Sequence, residues 1–147
     1  MRYSRLLLAA VPFVLIACAS ERVLAPSLVT IAGAPIRVQA FLNRDFMPIS
    51  PPDGKPLVAV FRIQTADGSS IPASVTADSA WVYNGPTVWG TPVVEEQPRN
   101  VSYFEVVARG GPKWGPGIEV DVVVRLRDGE GHTFLLQAPR QLISRSD

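Results

Sequence analysis

Few side chains in this chain have the type and spacing to do chemistry. Its single histidine, His132, could act as a general base only beside an activated nucleophile and an orienting group. The sequence has no Gly-x-Ser-x-Gly elbow and no Ser-x-x-Lys. His132 therefore reads as a hairpin residue following the turn Asp128-Gly129-Glu130-Gly131. A calcium loop of the EF-hand kind spaces three oxygen residues, a glycine and a closing Glu over about twelve positions. Two carboxylates flanking one glycine read instead as an ordinary turn. The single cysteine, Cys18, excludes an internal disulfide and a Cys-rich zinc site.

Carboxylate pairs are the remaining catalytic possibility, because two of them about 5–9 Å apart across a cleft can hydrolyse a glycoside. Glu95 and Glu96 are adjacent, and Glu119 and Asp121 share a strand face. Arg125 and Arg127 continue that second face, so cross-strand charge pairing accounts for it. No catalytic residue, metal or cofactor is expected.

The aromatic side chains point to binding. Trp89 lies in Asn84-Gly-Pro-Thr-Val-Trp-Gly-Thr-Pro, and Trp114 in Gly110-Gly-Pro-Lys-Trp-Gly-Pro-Gly. Phe46 and Met47 open a third Pro-rich stretch that ends Pro51-Pro52-Asp53-Gly54. Tryptophans in such loops either anchor a sugar ring or partner surface, or plug the open end of a β-sandwich.

Strands must position these residues. Ile118, Val120, Val122, Val124 and Leu126 alternate with Glu119, Asp121, Arg125 and Arg127, and Val123 is the exception. Period two marks a half-buried strand. After the Asp128–Gly131 turn, His132–Gln137 returns, making a hairpin. Leu57–Thr65, the turn Asp67-Gly68-Ser69-Ser70 and Ile71–Tyr83 read as a second hairpin. Ile36–Leu42, Val101–Ala108 and Leu28–Ile31 complete the set, with no sustained helical period. The chain is thus expected to be all-β: a single antiparallel β-sandwich of about seven strands. The strand count, with Trp81 inside a strand, resembles an immunoglobulin- or fibronectin-like domain that lacks the antibody cysteine pair.

Counting strands alternately up and down places the 43–56 and 84–100 connections at one end. Phe46 and Trp89 are then the apolar elements of a contact surface. If the chain instead turned at Ala77-Asp78-Ser79, Trp114 would join Phe46 and Trp89 would lie opposite.

The N-terminus carries an address. Met-Arg-Tyr-Ser-Arg precedes an uncharged run, Leu6–Ala17, that is shorter than the about 20 apolar residues a spanning helix needs. The run ends Leu15-Ile16-Ala17-Cys18, which resembles a bacterial lipobox. That resemblance implies a diacylglyceryl group on Cys18, cleavage before it, and acylation of the new amine. Residues 1–17 would be the signal peptide, 18–27 a lipidated tether and 28–147 the sandwich domain. Ala19 and Ser20, with no Asp after the cysteine, imply sorting to the outer membrane. An Asn-Val-Ser sequon at 100–102 would go unused in such a protein.

Among 147 residues, 14 Lys+Arg balance 13 Asp+Glu, so nothing directs the chain to nucleic acid. Removing Arg2 and Arg5 turns the slight basic excess into a slight acidic one. The expected function is a membrane-anchored, non-enzymatic envelope lipoprotein whose domain binds or supports an envelope protein or glycan. A carbohydrate-binding module using Trp89 and Trp114 is the alternative, and a small Asp/Glu hydrolase stands third.

Overall fold

In the computed structural model, which describes residues 24–147, the chain folds into eight strands. They are β1 (Val29–Ile31), β2 (Ala34–Asp45), β3 (Leu57–Thr65), β4 (Thr76–Asn84), β5 (Thr87–Pro92), β6 (Tyr103–Gly111), β7 (Glu119–Arg127) and β8 (Thr133–Ser146). No helix among the described residues is long and apolar enough to cross a membrane. The lipobox and Cys18 lie outside the described residues.

The strands form one curled path in the order β5-β4-β7-β8-β2-β3-β6, with β1 paired to β2. An isolated antiparallel bridge, Val94 to Val107, ties the segment after β5 back to β6. The sheet is mixed, where the sequence suggested a purely antiparallel one. β8 is the reason. Its first part pairs antiparallel with β7, and Ile143–Ser146 then runs parallel to β2. The handover follows an irregularity at Pro139-Arg140, where Pro139 has no N–H to donate and Arg140 takes φ 52°.

Alternation sets the core. β3 reads buried and half-buried in strict turn, so Leu57, Ala59, Phe61 and Ile63 face inward. Ile36 and Leu42 from β2, Phe104 and Val106 from β6, and Leu136 and Ile143 from β8 meet them. Val122 and Val124 are fully buried, as their mid-strand positions require. Each such side chain contributes about 1.5–3 kcal/mol by leaving water. Val123, on the outward face of β7, is also buried. Trp81 of β4 and Gln137 of β8 pair with it on either side.

Three features depart from the sequence reading. β3 and β4 do not form a hairpin: β3 pairs with β2 and β6, whereas β4 pairs with β5 and β7. The 66–75 connection instead crosses an end of the fold, and Ile71 and Val75 fill the core beneath it. The 84–100 stretch holds β5, joined to β4 through a two-residue Gly85-Pro86 turn. Gly85 takes the positive φ, 57°, that this kind of hairpin asks of its first turn residue. Finally, residues 24–26 are docked. Gln137 Oε1 accepts the Leu24 and Ala25 amides at 2.7 and 3.1 Å, and the Gln137 amide donates to Pro26 O at 2.9 Å. The folded part therefore begins ahead of Leu28.

Candidate functional site

The registers sort the connections into two ends. The 46–56 loop, the Gly85-Pro86 turn and the 112–118 loop share one end with the close of β8. The 66–75, 93–102 and 128–132 connections lie at the other. Phe46 and Trp114 thus share an end. The unsuspected strand β5 reverses the count after Asn84 and carries Trp114's loop back to Phe46. The bulge at Ala77/Ser79 bends β4 without turning the chain.

Arg44 organises that end. It occupies an inward position of β2 and is 1% exposed. Its Nε donates to Lys55 O at 2.6 Å, its Nη1 to Trp114 O and Gly115 O at 3.3 Å each, and its Nη2 to Asp53 O. One guanidinium so clips both long loops to the sheet, which suits a rigid fork of donors. Phe46 lies between Arg44 and Arg145, whose guanidinium carbons are 5.2 and 4.1 Å from its ring centre. A side chain at Gly54 would meet the Phe46 ring at 2.6 Å, so only glycine fits there. Beyond this clip the loop turns Met47 and Ile49 outward, and Ile49 is 89% exposed. Lys113 pairs with Asp53 at 2.8 Å and holds the Asp53 carboxyl below its ordinary value.

Trp89 is not in a loop. It sits on β5, half-buried against the core, and its ring lies over Gly111 where β5 and β6 approach without pairing. Trp114 is likewise half-buried against the core. Both tryptophans fill gaps in the fold, and Phe46 is held by its neighbours. The structure brings Phe46 and Trp114 to one end, with Trp89 in the seam.

The carboxylates that stood out as pairs in the sequence are engaged separately. Glu95 accepts from Arg99 at 2.6 and 2.9 Å, and Glu96 pairs with Arg109. Asp121 accepts the Arg140 amide at 3.0 Å. The partner of Arg125 and Arg127 is Asp78 across on β4, at 2.7 and 3.1 Å, not Glu119 or Asp121. Among the described residues, every carboxyl with a displaced pKa is displaced downward. A general acid of a hydrolase needs the opposite shift.

At the other end, ligand atoms of Asp128, Glu130 and His132 lie within 4.8 Å of one another, a spacing that could hold a cation. Turn closure already occupies Asp128. Oδ1 accepts the Glu130 and His132 amides at 2.9 Å each, and Oδ2 lies 3.1 Å from the His132 ring. Burial raises the Asp128 carboxyl, and these hydrogen bonds outweigh it and hold the group below its ordinary value.

The surface that sequence reasoning missed is the outward face of β8, β2, β3 and β6. The registers place Phe41 beside Val60, Val60 beside Val107, and Val107 beside Val94. Leu142 precedes the pair Ile143–Leu42 as Phe41 does, so it extends the row on β8. Leu142, Phe41 and Val94 are 57%, 44% and 59% exposed, and Val60 and Val107 are half-buried. An apolar row crosses the four strands from β8 to β6. Below it run Gln39, Arg62 and Glu105 in register, with Arg62 against the Phe41 and Tyr103 rings at 5.4 and 4.4 Å. Above it lies a shallow groove of about 480 Å³ between Asn43, Asp45, Lys55, Val58, Arg109 and neighbours. The signal was present in Leu57-Val58-Ala59-Val60-Phe61, which is apolar on both faces of β3.

No protein-family model, curated protein or solved structure matches this chain.

Proposed function

We propose that this chain is a bacterial envelope lipoprotein, held by acyl chains on Cys18 at the outer membrane. Its domain works without catalysis, by contact with a surface or partner in the envelope. The observation that carries this reading is the ordered N-terminal segment: Arg2 and Arg5, the short uncharged run Leu6–Ala17, and Leu15-Ile-Ala-Cys18 with the chain's single cysteine at the modified position. Two or three acyl chains hold a protein far more firmly than one, at about 0.8 kcal/mol per buried methylene.

The finer fold is an immunoglobulin-like sandwich. The strand order supports it: β2, β3 and β6 make one layer, β5, β4 and β7 the other, and β8 passes from the second to the first. Glu95 and Glu96, tied to Arg99 and Arg109, and Asp121, tied to the Arg140 amide, favour a binding role over hydrolysis. The packed positions of Trp89 and Trp114 leave the glycan-binding alternative without a flat, solvent-open platform on those two rings.

Fractionation of cells expressing the full chain tests the anchor. With an alkyne fatty acid in the medium, the parent should carry the label and sediment with membranes. Cys18→Ser should lose the label and leave that fraction. Equal sedimentation of both, with no label on either, would overturn the proposal.

A further inference from the structure

The short chain between the anchor and the fold restricts how the domain can sit. Leu24 is tied to Gln137 by a 2.7 Å hydrogen bond. The six-residue reach from Cys18 to Leu24 spans at most ~21 Å. β2 alone, with 12 residues, is ~40 Å long. A domain so tethered stays close to the bilayer, which limits the faces that can meet it to those within that reach of Leu24. The loop end is out of reach. Ser146 lies nine residues beyond Gln137 on β8, ~30 Å along the strand, and Ile49 extends past it. The opposite end is within reach but is edged by Asp67, Asp128 and Glu130, which an anionic lipid surface repels. Leu142, five residues along β8 from Gln137 and ~16 Å away, begins the apolar row.

We infer that the outward face of β8, β2, β3 and β6 is a lipid-docking face, on which Leu142, Phe41, Val60, Val107 and Val94 settle into the interfacial layer of the membrane that holds Cys18. This rests on the anchor reading and adds an orientation to it. The chemistry fits an anionic interface. Phe41 and Leu142 are the large apolar side chains that interfacial elements bury. Arg62 crosses the adjacent row with its guanidinium over the Phe41 and Tyr103 rings and paired with Glu105 at 3.4 Å, and Arg37 lies one row further, exposed. A long, exposed cationic side chain such as Arg37 can then reach the phosphate oxygens of a lipid headgroup. Arg109 and Lys55 border the row on its other side, each paired with a carboxylate.

Because Cys18 is the chain's only cysteine, an introduced thiol is unique once Cys18 is acylated. The full lipidated protein carrying Phe41→Cys or Val94→Cys is labelled with an environment-sensitive fluorophore. It is then reconstituted into phosphatidylethanolamine–phosphatidylglycerol vesicles doped with a nitroxide-headgroup lipid. Labels at Ile49→Cys and Glu130→Cys mark the two ends. The expected result is a blue shift and strong quenching at positions 41 and 94, and neither at 49 or 130. Quenching at 49 or 130 in place of 41 and 94 would overturn the inference. Acylated Cys18 with no quenching anywhere would overturn it and leave the anchor standing. A Cys18 found unacylated by mass spectrometry would remove both.

Discussion

Replacing Arg44 with methionine isolates the most consequential polar group in the fold. Methionine keeps most of the side chain's length, but it has no donors and no guanidinium to set beside the Phe46 ring. The carbonyls of Lys55 and Asp53 then lose their short bonds, and those of Trp114 and Gly115 lose longer ones at 3.3 Å. A hydrogen bond from a charged donor contributes about 1.5–3 kcal/mol, and a buried carbonyl left without a partner costs about 1–3 kcal/mol. Relief of the charge's own desolvation offsets part of this. The balance is a loss of about 3 kcal/mol, a large share of the 5–15 kcal/mol typical of a domain. For a urea slope of about 2 kcal/mol per molar, the unfolding midpoint should fall by about 1.5 M. Arg44→Lys should lie between, since one ammonium cannot span four carbonyls on two loops. Tryptophan emission should also shift red before global unfolding, as the 112–118 loop that carries Trp114 lifts away. A midpoint for Arg44→Met within about 0.3 M of the parent would refute the clip, because surface-like changes fall within ±0.5 kcal/mol.

Val122 is fully buried, and Val122→Asp should prevent folding or cost several kcal/mol, read by circular dichroism; parent-like stability would show that the faces of β7 are inverted. Trp89→Ala should cost about 2–3 kcal/mol in thermal unfolding, because the ring closes the seam over Gly111, and an unchanged melting temperature would make it a free contact residue instead. Gly111→Val should be destabilising for the complementary reason, since a Cβ there would stand 2.6 Å from the Trp89 ring. Asp78 is held below its ordinary 3.8 mainly by the hydrogen bond from Arg125. Its contribution is therefore whole above the unfolded value and is lost as pH falls through the lowered folded one. The gap in urea midpoint between parent and Asp78→Asn should stay constant from pH 7 to about 5 and shrink below about pH 4. A gap unaffected by acid would mean that the ion pair with Arg125 and Arg127 adds nothing.

Strand chemistry was legible where alternation was strict. Leu57–Thr65 carries β3 to the residue, and Asp128–Gly131 marks the β7–β8 hairpin because tight turns and period two are local properties. β5 was hidden because Pro86, Gly90 and Pro92 crowd seven residues and read as loop. Its edge position explains the tolerance, since the side of an edge strand without a neighbour needs no ladder N–H. The Asp67-Gly68 turn shows that the chain reverses but not which strand it rejoins. Ile71 and Val75 belong to the core without belonging to a strand. The parallel pairing of β8 with β2 joins residues about a hundred apart in the chain, and no local pattern encodes it. The apolar row was missed for the same reason. Phe41, Val60, Val107 and Val94 come from separate segments and become neighbours only through register. The aromatic residues that stood out in sequence, Phe46, Trp89 and Trp114, stood out by size and by their Gly/Pro surroundings. Those surroundings are what close packing of a large ring also requires, as Gly54 under Phe46 and Gly111 under Trp89 show.

The central claim is that Cys18 becomes the lipid-bearing first residue of the mature protein. Intact-mass and N-terminal peptide measurements on protein extracted from membranes with detergent test it most directly. The expected result is a chain beginning at Cys18, with a diacylglyceryl thioether on its sulfur and an acylated amine. A free thiol at Cys18, or a mature N-terminus at any other residue, would contradict it.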